Sequence, residues 1–236
     1  MQQGAADLLL VQSEVYPCPY LSERLAAMVF TEPDQHLDSE IYGRLCALGF
    51  RRSHDVVYRP RCEGCAECVP VRVPVARFRP RRSQRRCLKA NADLIVHPGP
   101  ARLTDGDAEL LERYLWARHP AGGMDHLERG QLADFLQSSW CQSTFARFFL
   151  KERLVAVMVL DVLPRGLSAV YHFFDPELFR RSLGVFSILW SIDYARRLGL
   201  EWLYLGYWIR DCPKMSYKAE YLPQQRLLGG RWRDYP

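Results

Sequence analysis

The sequence predicts an α+β protein: a small N-terminal α/β domain with a cysteine-rich loop, and a C-terminal domain built on a mixed sheet with helices. After residue 143, three apolar or β-branched runs are followed by one strongly helical stretch and a further strand. Before residue 100, short helical and strand-like runs flank three closely spaced cysteines. The length of 236 residues suits two domains, which we place at residues 1–100 and 101–236.

The N-terminal elements follow from apolar spacing and from turn residues. Apolar residues at helical spacing predict helices at Leu21–Phe30 and Ser39–Leu48, with Ser22 and Ser39 as N-caps and Gly49 as the stop. Alternating apolar and polar residues predict two paired strands on either side of the cysteines, at Phe50–Arg59 and Val69–Val75. Ser83 can cap a further helix, which is basic and reaches Asn91.

The C-terminal elements are predicted to be two helices, a three-stranded meander, and a helix followed by a last strand. Two helices are predicted at Asp105–Arg118 and Leu127–Gln137, separated by the Pro- and Gly-containing segment His119–Met124. An antiparallel meander of three strands comes next, at Thr144–Leu150, Leu154–Leu163 and Leu167–Phe174. A helix at Ser182–Leu198 and a strand at Glu201–Gly206 then form a β-α-β unit that closes the mixed sheet.

The composition is that of a globular protein. Hydrophobic residues make up 48% and charged residues 25%, which excludes disordered, collagenous and low-complexity chains. The longest stretch without a charged residue, Phe135–Ala146, is too short to cross a bilayer, and Met1–Glu14 lacks the basic start of a secretory signal. We therefore expect a cytoplasmic protein with no membrane contact.

Positive charge is concentrated in one segment. The net charge is +5, but residues 68–92, the basic segment, contain eight positive and no acidic side chains, which leaves −3 on the rest of the chain. The positive residues are Arg72, Arg77, Arg79, Arg81, Arg82, Arg85, Arg86 and Lys89. Such local density is typical of a polyanion site, and the alternative is a solvated arginine-rich face.

Three of the eight cysteines form a C-x-x-C-x-x-C run at Cys62, Cys65 and Cys68. This spacing lets a tight loop direct successive thiolates at one zinc ion or iron–sulfur cluster. Cys18 can supply a fourth ligand if the N-terminal segment folds back. The alternative is a set of reduced thiols in a glycine-containing turn.

Several separated motifs resemble the arginyl-tRNA–protein transferase family. They are residues 48–53 (LGFRRS), 58–60 (YRP), 72–75 (RVPV), 78–86 (FRPRRSQRR), 203–209 (LYLGYWI) and 212–218 (CPKMSYK). The resemblance covers nearly the whole chain and is closest to the bacterial branch, the leucyltransferases. It implies transfer of leucine from leucyl-tRNA to proteins that start with Asp or Glu, which marks them for degradation in the N-degron pathway.

The resemblance also implies a C-terminal domain with the GNAT (acyl-CoA N-acyltransferase) fold, in agreement with the strand and helix order. In acetyltransferases the turn before the main helix cradles a pyrophosphate, and Arg181–Gly184 occupies that place here. The glycine pattern of that turn is only partial. A coenzyme A site is therefore the weaker interpretation, and the tRNA acceptor end is the stronger one for this surface.

The implied reaction is aminolysis of the aminoacyl ester by the free α-amine of the acceptor protein, which requires no cofactor. Arginine side chains pair bidentately with carboxylates, and the candidates for binding the acidic N-terminus are Arg77, Arg79, Arg81 and Arg82. The residues assigned to tRNA are Arg85, Arg86, Lys89, Lys214 and Lys218. Those that could orient or deprotonate the amine are Tyr171, Asp175 and Tyr207, with core aromatics and an Asp-Pro turn as alternatives.

Two other functions stay open at this point. Arginyl transfer within the same family would need a buried acid for the arginyl side chain, whereas a leucyl pocket needs only apolar walls. A non-catalytic tRNA- or RNA-binding module with a structural metal would also account for the basic segment and the cysteines.

Overall fold

The computed structural model describes residues 8–33, 35–118 and 129–236. The strands are β1 (Leu10–Gln12), β2 (Tyr16–Pro17), β3 (Leu25–Ala26), β4 (Met28–Thr31), β5 (Arg51–Ser53), β6 (Val56–Pro60), β7 (Val69–Pro74), β8 (Leu94–Pro100), β9 (Ser143–Leu150), β10 (Arg153–Leu163), β11 (Gly166–Phe174), β12 (Trp202–Trp208), β13 (Gln224–Leu228) and β14 (Arg231–Tyr235). The α-helices are α1 (Ser39–Ala47), α2 (Arg82–Ala90), α3 (Asp105–Arg118), α4 (Arg129–Leu136), α5 (Leu183–Arg197) and α6 (Pro213–Ser216). None of the helices in these ranges is long and apolar enough to span a membrane.

The large sheet has eight strands in the order β14-β13-β7-β12-β11-β10-β9-β8. Its neighbours are antiparallel except β11 and β12, which α5 connects as a parallel pair. The predicted meander of β9, β10 and β11 and the β-α-β unit that follows it are therefore confirmed. β7 and β8 come from the first hundred residues and lie in the same sheet as the strands that follow.

Both faces of the large sheet are covered. On β10, Met158 and Leu160 point into the core beneath α5, whereas Val157 and Val159 point into the core beneath α3 and α4. Successive side chains of a strand face opposite sides, so a strand covered on both faces is apolar at every position. This explains the unbroken apolar run from Leu154 to Leu160.

The small sheet has the order β1-β4-β6-β5 and packs with α1 against the large sheet. Its core joins Tyr42 of α1 and Val57 of β6 to Leu163 and Tyr204 of the large sheet. The chain passes from the small sheet to the large one through the segment between β6 and β7, which contains the three clustered cysteines.

Three N-terminal predictions are wrong. The predicted helix Leu21–Phe30 is replaced by β3 and β4, because Glu23 has a left-handed φ of 60° and β4 finds partners in β1 and β6. The predicted strand Phe50–Arg59 is two strands, β5 and β6, separated by a turn at His54 with φ 55°. β6 also does not pair with β7, because the two strands belong to different sheets.

The predicted helices after residue 39 are confirmed with small changes of boundary. α1 is capped by Asp38, whose Oδ1 accepts from the Ile41 amide at 2.7 Å, and not by Ser39. α2 starts after Arg81, and α5 starts after Ser182. The segment His119–Met124 and the first two residues of the predicted helix Leu127–Gln137 lie outside the described residues.

Candidate active site

β11 and β12 separate after a short parallel pairing. They pair only between Gly166–Ser168 and Trp202–Tyr204, although the strands continue to Phe174 and Trp208. Over the rest of its length β12 pairs with β7 alone, through a bulge at Gly206. The start of α5 lies against the end of β11, since a Cβ on Gly184 would lie 3.7 Å from the Phe174 ring. The end of β11 and the first turn of α5 therefore lie side by side where the two strands separate.

His172 is half-buried near this separation, with its Nε2 atom shielded from solvent. Its ring stacks on Phe174 with centroids 5.2 Å apart, and its Nε2 has no hydrogen-bond partner among the described residues. Burial lowers the pKa of His172 to about 3. The imidazole is therefore neutral at physiological pH.

The turn Arg181–Gly184 is tied to α2. The Arg181 guanidinium binds Asp93 at 2.8 Å, and the Arg181 carbonyl accepts a hydrogen bond from the Asn91 side chain at 2.8 Å. The Ser182 side chain makes no capping hydrogen bond to α5. These contacts fix the start of α5 against the basic segment.

The four arginines predicted to bind the acidic N-terminus lie on the surface, three of them between β7 and α2 and Arg82 at the start of α2. Arg77 pairs with Asp234 at 3.2 Å, and Arg81 pairs with Glu220. Arg79 donates to the carbonyls of Ala76 and Phe78. Three of the four side chains are thus already engaged, while the Arg82 side chain is exposed to solvent.

The residues predicted to contact tRNA divide into two groups. Arg85, Arg86 and Lys89 are exposed on α2, and Lys214 is exposed on α6. Lys218 is buried, and its Nζ donates to the Tyr207 carbonyl at 2.8 Å. The structure therefore does not place Lys218 on the exposed basic surface, because its ammonium points into the protein.

The three residues predicted to act on the amine have different surroundings. Tyr171 packs edge-on against Phe135 of α4, and burial raises its pKa. Asp175 is buried, accepts from the Glu177 amide at 3.0 Å and pairs with Arg153. The Tyr207 hydroxyl donates to the Gly49 carbonyl at 2.9 Å. Each of the three thus has its own partners among the described residues.

Arg51 is a buried cation without a carboxylate partner among the described residues. Its Nη1 donates to the Phe50 carbonyl at 2.8 Å. Its Nε and Nη2 are buried and have no hydrogen-bond partner among the residues that the structure describes. The guanidinium lies 5.3 Å from the ring centre of Tyr204 and 6.0 Å from that of Tyr207. The neighbouring Cys46 thiol is neutral, because burial raises its pKa to about 11.

Lys218 brings a second buried positive group to the same region. Its Nζ contacts the Tyr207 carbonyl and the Met215 sulfur. Burial, followed by the charge of Arg51, lowers the pKa of Lys218 to about 7. Sequence reasoning missed Arg51 and assigned Lys218 to tRNA. The only signal for Arg51 is its place beside Arg52 in a short strand, which raises the question of which anion each arginine meets.

The four cysteines predicted to bind a metal lie near one another. Cys18 follows β2, and its amide bonds to the Arg24 carbonyl, while the Arg24 guanidinium donates to the Cys65 sulfur at 3.4 Å. Burial and the neighbouring thiols of Cys62, Cys18 and Cys65 raise the pKa of Cys68 to about 12. Yet within residues 8–33, 35–118 and 129–236, no three His, Cys, Asp or Glu side chains are arranged to hold a metal ion.

A surface pocket of about 350 Å³ adjoins the cysteine loop. The Arg226 guanidinium lies between two aromatic rings there, 3.9 Å from the centre of Trp208 and 4.3 Å from that of Tyr235. Glu67 and Arg210 also line it. Flat aromatic and guanidinium faces of this kind are suited to stacking against a nucleobase.

Comparisons with known proteins agree along the chain. The family profile "Arginine-tRNA-protein transferase, N terminus" matches residues 16–86, and "Arginine-tRNA-protein transferase, C terminus" matches residues 107–228. Aspartate/glutamate leucyltransferase of Pseudomonas fluorescens (strain Pf0-1) is 46% identical over 96% of this chain and 97% of its own length. The enzyme of that name from Alcanivorax borkumensis is 47% identical over 97% of this chain and 95% of its own length.

Among solved structures, L-PGS from Bacillus licheniformis is similar over 59% of this chain and 45% of its own, with a TM-score of 0.44 and 12% identity. That likeness is too distant to bear on function.

Proposed function

This chain belongs to the arginine-tRNA-protein transferase family, and we propose that it moves leucine from leucyl-tRNA to the N-terminal α-amine of proteins that begin with Asp or Glu. The observation that carries the proposal is the match to aspartate/glutamate leucyltransferases over almost the full length of both chains. A protein so modified becomes a substrate of the N-degron pathway. The reaction belongs in the cytoplasm, where aminoacyl-tRNA is made.

The chemistry needs little beyond positioning. The α-amine attacks the ester carbonyl, a C–N bond forms, and the C–O bond to the terminal ribose of the tRNA breaks. The amine loses a proton and the departing ribose oxygen gains one. An α-amino group has a pKa of about 7.7–8.0, so a useful fraction is already neutral near pH 7. Holding the two substrates together therefore supplies most of the rate enhancement.

We place the leucyl ester at the separation of β11 and β12, in a GNAT-like arrangement of meander, helix and diverging strand. The side chains near the end of β11 and the start of α5 include Phe174 and Phe186, whose apolar faces suit leucine. The buried acid at the end of β11, Asp175, already pairs with Arg153 and so is not free to receive an arginyl side chain. Both features favour leucine over arginine as the donor amino acid.

The exposed cations of the basic segment are proposed to bind the tRNA. Arg85, Arg86 and Lys89 lie on α2, which packs against α5 close to the proposed ester site. Phosphate contacts from such side chains position a nucleic acid without reading its sequence. The aromatic pocket around Trp208 offers a stacking surface for an unpaired base of the tRNA.

The donor assay separates this proposal from its alternatives. A peptide that begins with Asp is incubated with the enzyme and either leucyl-tRNA or arginyl-tRNA, and the mass of the peptide is measured. We expect the leucyl product alone. An arginyl product would indicate the other activity of the family, and the absence of both products would favour a non-catalytic RNA-binding module.

We also propose that Cys18, Cys62, Cys65 and Cys68 take up zinc or an iron–sulfur cluster, with their sulfurs drawn closer together than they are here. Their proximity supports this, and a metal would lower the raised pKa of Cys68. Anaerobically purified protein should contain stoichiometric metal, which Cys65→Ser should remove. Cys87→Ser is the matched control, because Cys87 contacts the Arg181 and Ser182 carbonyls instead. Metal-free wild-type protein would contradict the proposal.

A further inference from the structure

Arg51 differs from its neighbour Arg52 in having no carboxylate partner among the described residues. Arg52 is buried next to it on β5 and forms two hydrogen bonds to Asp161, at 2.8 and 2.7 Å. Arg51 is equally buried, yet its Nε and Nη2 have no partner among the described residues. A guanidinium left without an anion in a protein interior is costly, so this arrangement calls for a missing negative group.

The described surroundings of Arg51 supply no such group. The Tyr207 hydroxyl and the Cys46 thiol are neutral, because burial raises the pKa of each group, and the Asp161 carboxylate is bound by Arg52. Lys218, the other buried cation of the region, also has only neutral partners there, a carbonyl and a sulfur. This part of the interior thus holds two basic side chains, and neither is paired with a carboxylate of the described residues.

The free atoms of Arg51 define the shape of the missing group. Nε and Nη2 form one edge of the guanidinium, and that edge presents two parallel N–H donors, which match the two oxygens of a carboxylate. Nη1, on the other edge, is occupied by the Phe50 carbonyl. Two phosphate oxygens can also occupy such an edge, so the choice of a carboxylate rests on the acidic acceptor of the proposed function.

Gly206 provides room beside the fork. It lies at the bulge of β12 with a φ of +83°, and a Cβ built on it would meet a single atom of the described residues within 4 Å, Nε of Arg51. A side chain at this position would occupy the space next to the unpaired donor. Glycine leaves that space open, next to the strand end at which the ester is proposed to lie.

We propose that the Nε and Nη2 edge of Arg51, beside Gly206, binds the side-chain carboxylate of the acceptor's N-terminal Asp or Glu. This inference rests on the proposed function for the identity of the ligand. It assigns acceptor selection to a buried arginine instead of the exposed Arg77–Arg82 group.

The test measures peptide binding, so that it does not depend on transfer. Two peptides that differ only in an N-terminal Asp or Asn are titrated calorimetrically into the wild type and into Arg51→Gln. The wild type should prefer the Asp peptide, and Arg51→Gln should lose that preference, a change on the order of 10²-fold in the ratio of the two affinities. Arg82→Gln, which removes an exposed arginine of the other candidate group, should keep it.

Arg51→Lys serves as the second variant, because it retains the charge and most of the buried volume and so preserves the fold. It should show an intermediate preference, since an ammonium cannot form the bidentate pair. The proposal is overturned if Arg51→Gln and Arg51→Lys both keep the full preference, or if Arg82→Gln loses it. It is equally overturned if Arg51→Gln leaves the peptide preference intact and weakens tRNA binding instead, which would indicate a phosphate site.

Transfer measured in parallel distinguishes the failure of this assignment from the failure of the proposed function. If the wild type selects the Asp peptide through Arg51 but transfers no leucine, the proposed function fails and the carboxylate site stands. If leucine transfer occurs and Arg51→Gln still selects Asp over Asn, the proposed function stands and this assignment fails.

Discussion

Arg51 and Arg52 are adjacent and equally buried, but only Arg52 has a carboxylate partner among the described residues that offsets the cost of burying its charge. Arg52 is compensated by Asp161 and also donates to the Leu136 and Gln137 carbonyls. Removing one partner of a buried ion pair leaves the other charge uncompensated, which typically costs about 3–5 kcal/mol. Arg51 has no such partner among the described residues, so its removal takes away packing, ring contacts and one hydrogen bond to a carbonyl. The same change also removes a buried charge that has no anion beside it, which offsets part of that loss.

We therefore expect Arg52→Gln to lower the free energy of unfolding by about 3–5 kcal/mol, and Arg51→Gln to change it by about 1 kcal/mol or less in either direction. Chemical denaturation of the two variants, followed by circular dichroism, makes the comparison. Equal losses would mean that Arg51 is as well compensated as Arg52 and would remove the main support for a missing anion.

Lys218 gives a residue-level prediction about pH. Its pKa is 10.5 in the unfolded chain and is lowered to about 7 by burial, so between these values the unfolded state binds more protons. Stability contributed by this group must then rise with pH, by about 1.4 kcal/mol per pH unit at most, from pH 7 upward. Replacing Lys218 with Met should stabilise the protein most at or below pH 7, with the gain shrinking toward pH 10. Unfolding curves at pH 6, 7, 8 and 9 measure the difference, and a gain that does not change with pH would contradict the assignment.

At the scale of elements, predictions succeeded where local pattern decides the structure. The meander and α5 follow from runs of Val, Leu and Phe with clear turn residues between them, and they are present as expected. The segment Leu21–Phe30 has helical spacing too, but pairing of β4 with β1 and β6 overrides it. Strand pairing depends on residues far away in the chain, and no short window of sequence contains that information.

The exposed arginines of the basic helix α2 are expected to bind tRNA through its phosphates. Arg85→Ala with Arg86→Ala should weaken binding and reduce the slope of log affinity against log salt by about 0.7–0.9 for each phosphate that is no longer bound. Filter binding of leucyl-tRNA at several salt concentrations measures the slope. The control is Arg165→Ala with Arg197→Ala, which removes two exposed arginines already paired with Glu201 and Asp193. If the two double variants change the slope equally, α2 does not bind the tRNA.

At the scale of the whole molecule, the candidate site joins segments that are far apart in sequence. The side chain of Arg51 lies beside Tyr204 and Tyr207 of β12, and Cys18 reaches the loop at Cys62–Cys68 from the β2–β3 hairpin. Sequence reasoning found the cysteines and the basic helix because each is a local cluster. It missed Arg51 and assigned the buried Lys218 to the tRNA surface, because burial and a missing counter-ion are visible only once the partners on other strands are in place.

The division of the chain at residue 100 stays a prediction. β7 and β8 precede that residue and lie in the large sheet, with β7 between β12 and β13. The basic segment thus starts inside the sheet that carries the proposed ester site. The acceptor subsite lies beside Tyr204 and Tyr207 of β12, and the pocket proposed to stack a tRNA base contains Trp208 of the same strand.

We expect this protein to join leucine to an acidic N-terminus, and a comparison of four acceptor peptides tests that claim. Purified enzyme and leucyl-tRNA are mixed with peptides that begin with Asp, Glu, Asn or acetylated Asp, and the initial rate of leucine incorporation is followed for each. The Asp and Glu peptides should react, the acetylated peptide should not react because it has no free amine, and the Asn peptide should be slower by a factor on the order of 10⁴. An Asn peptide that accepts leucine as fast as the Asp peptide would contradict the claim.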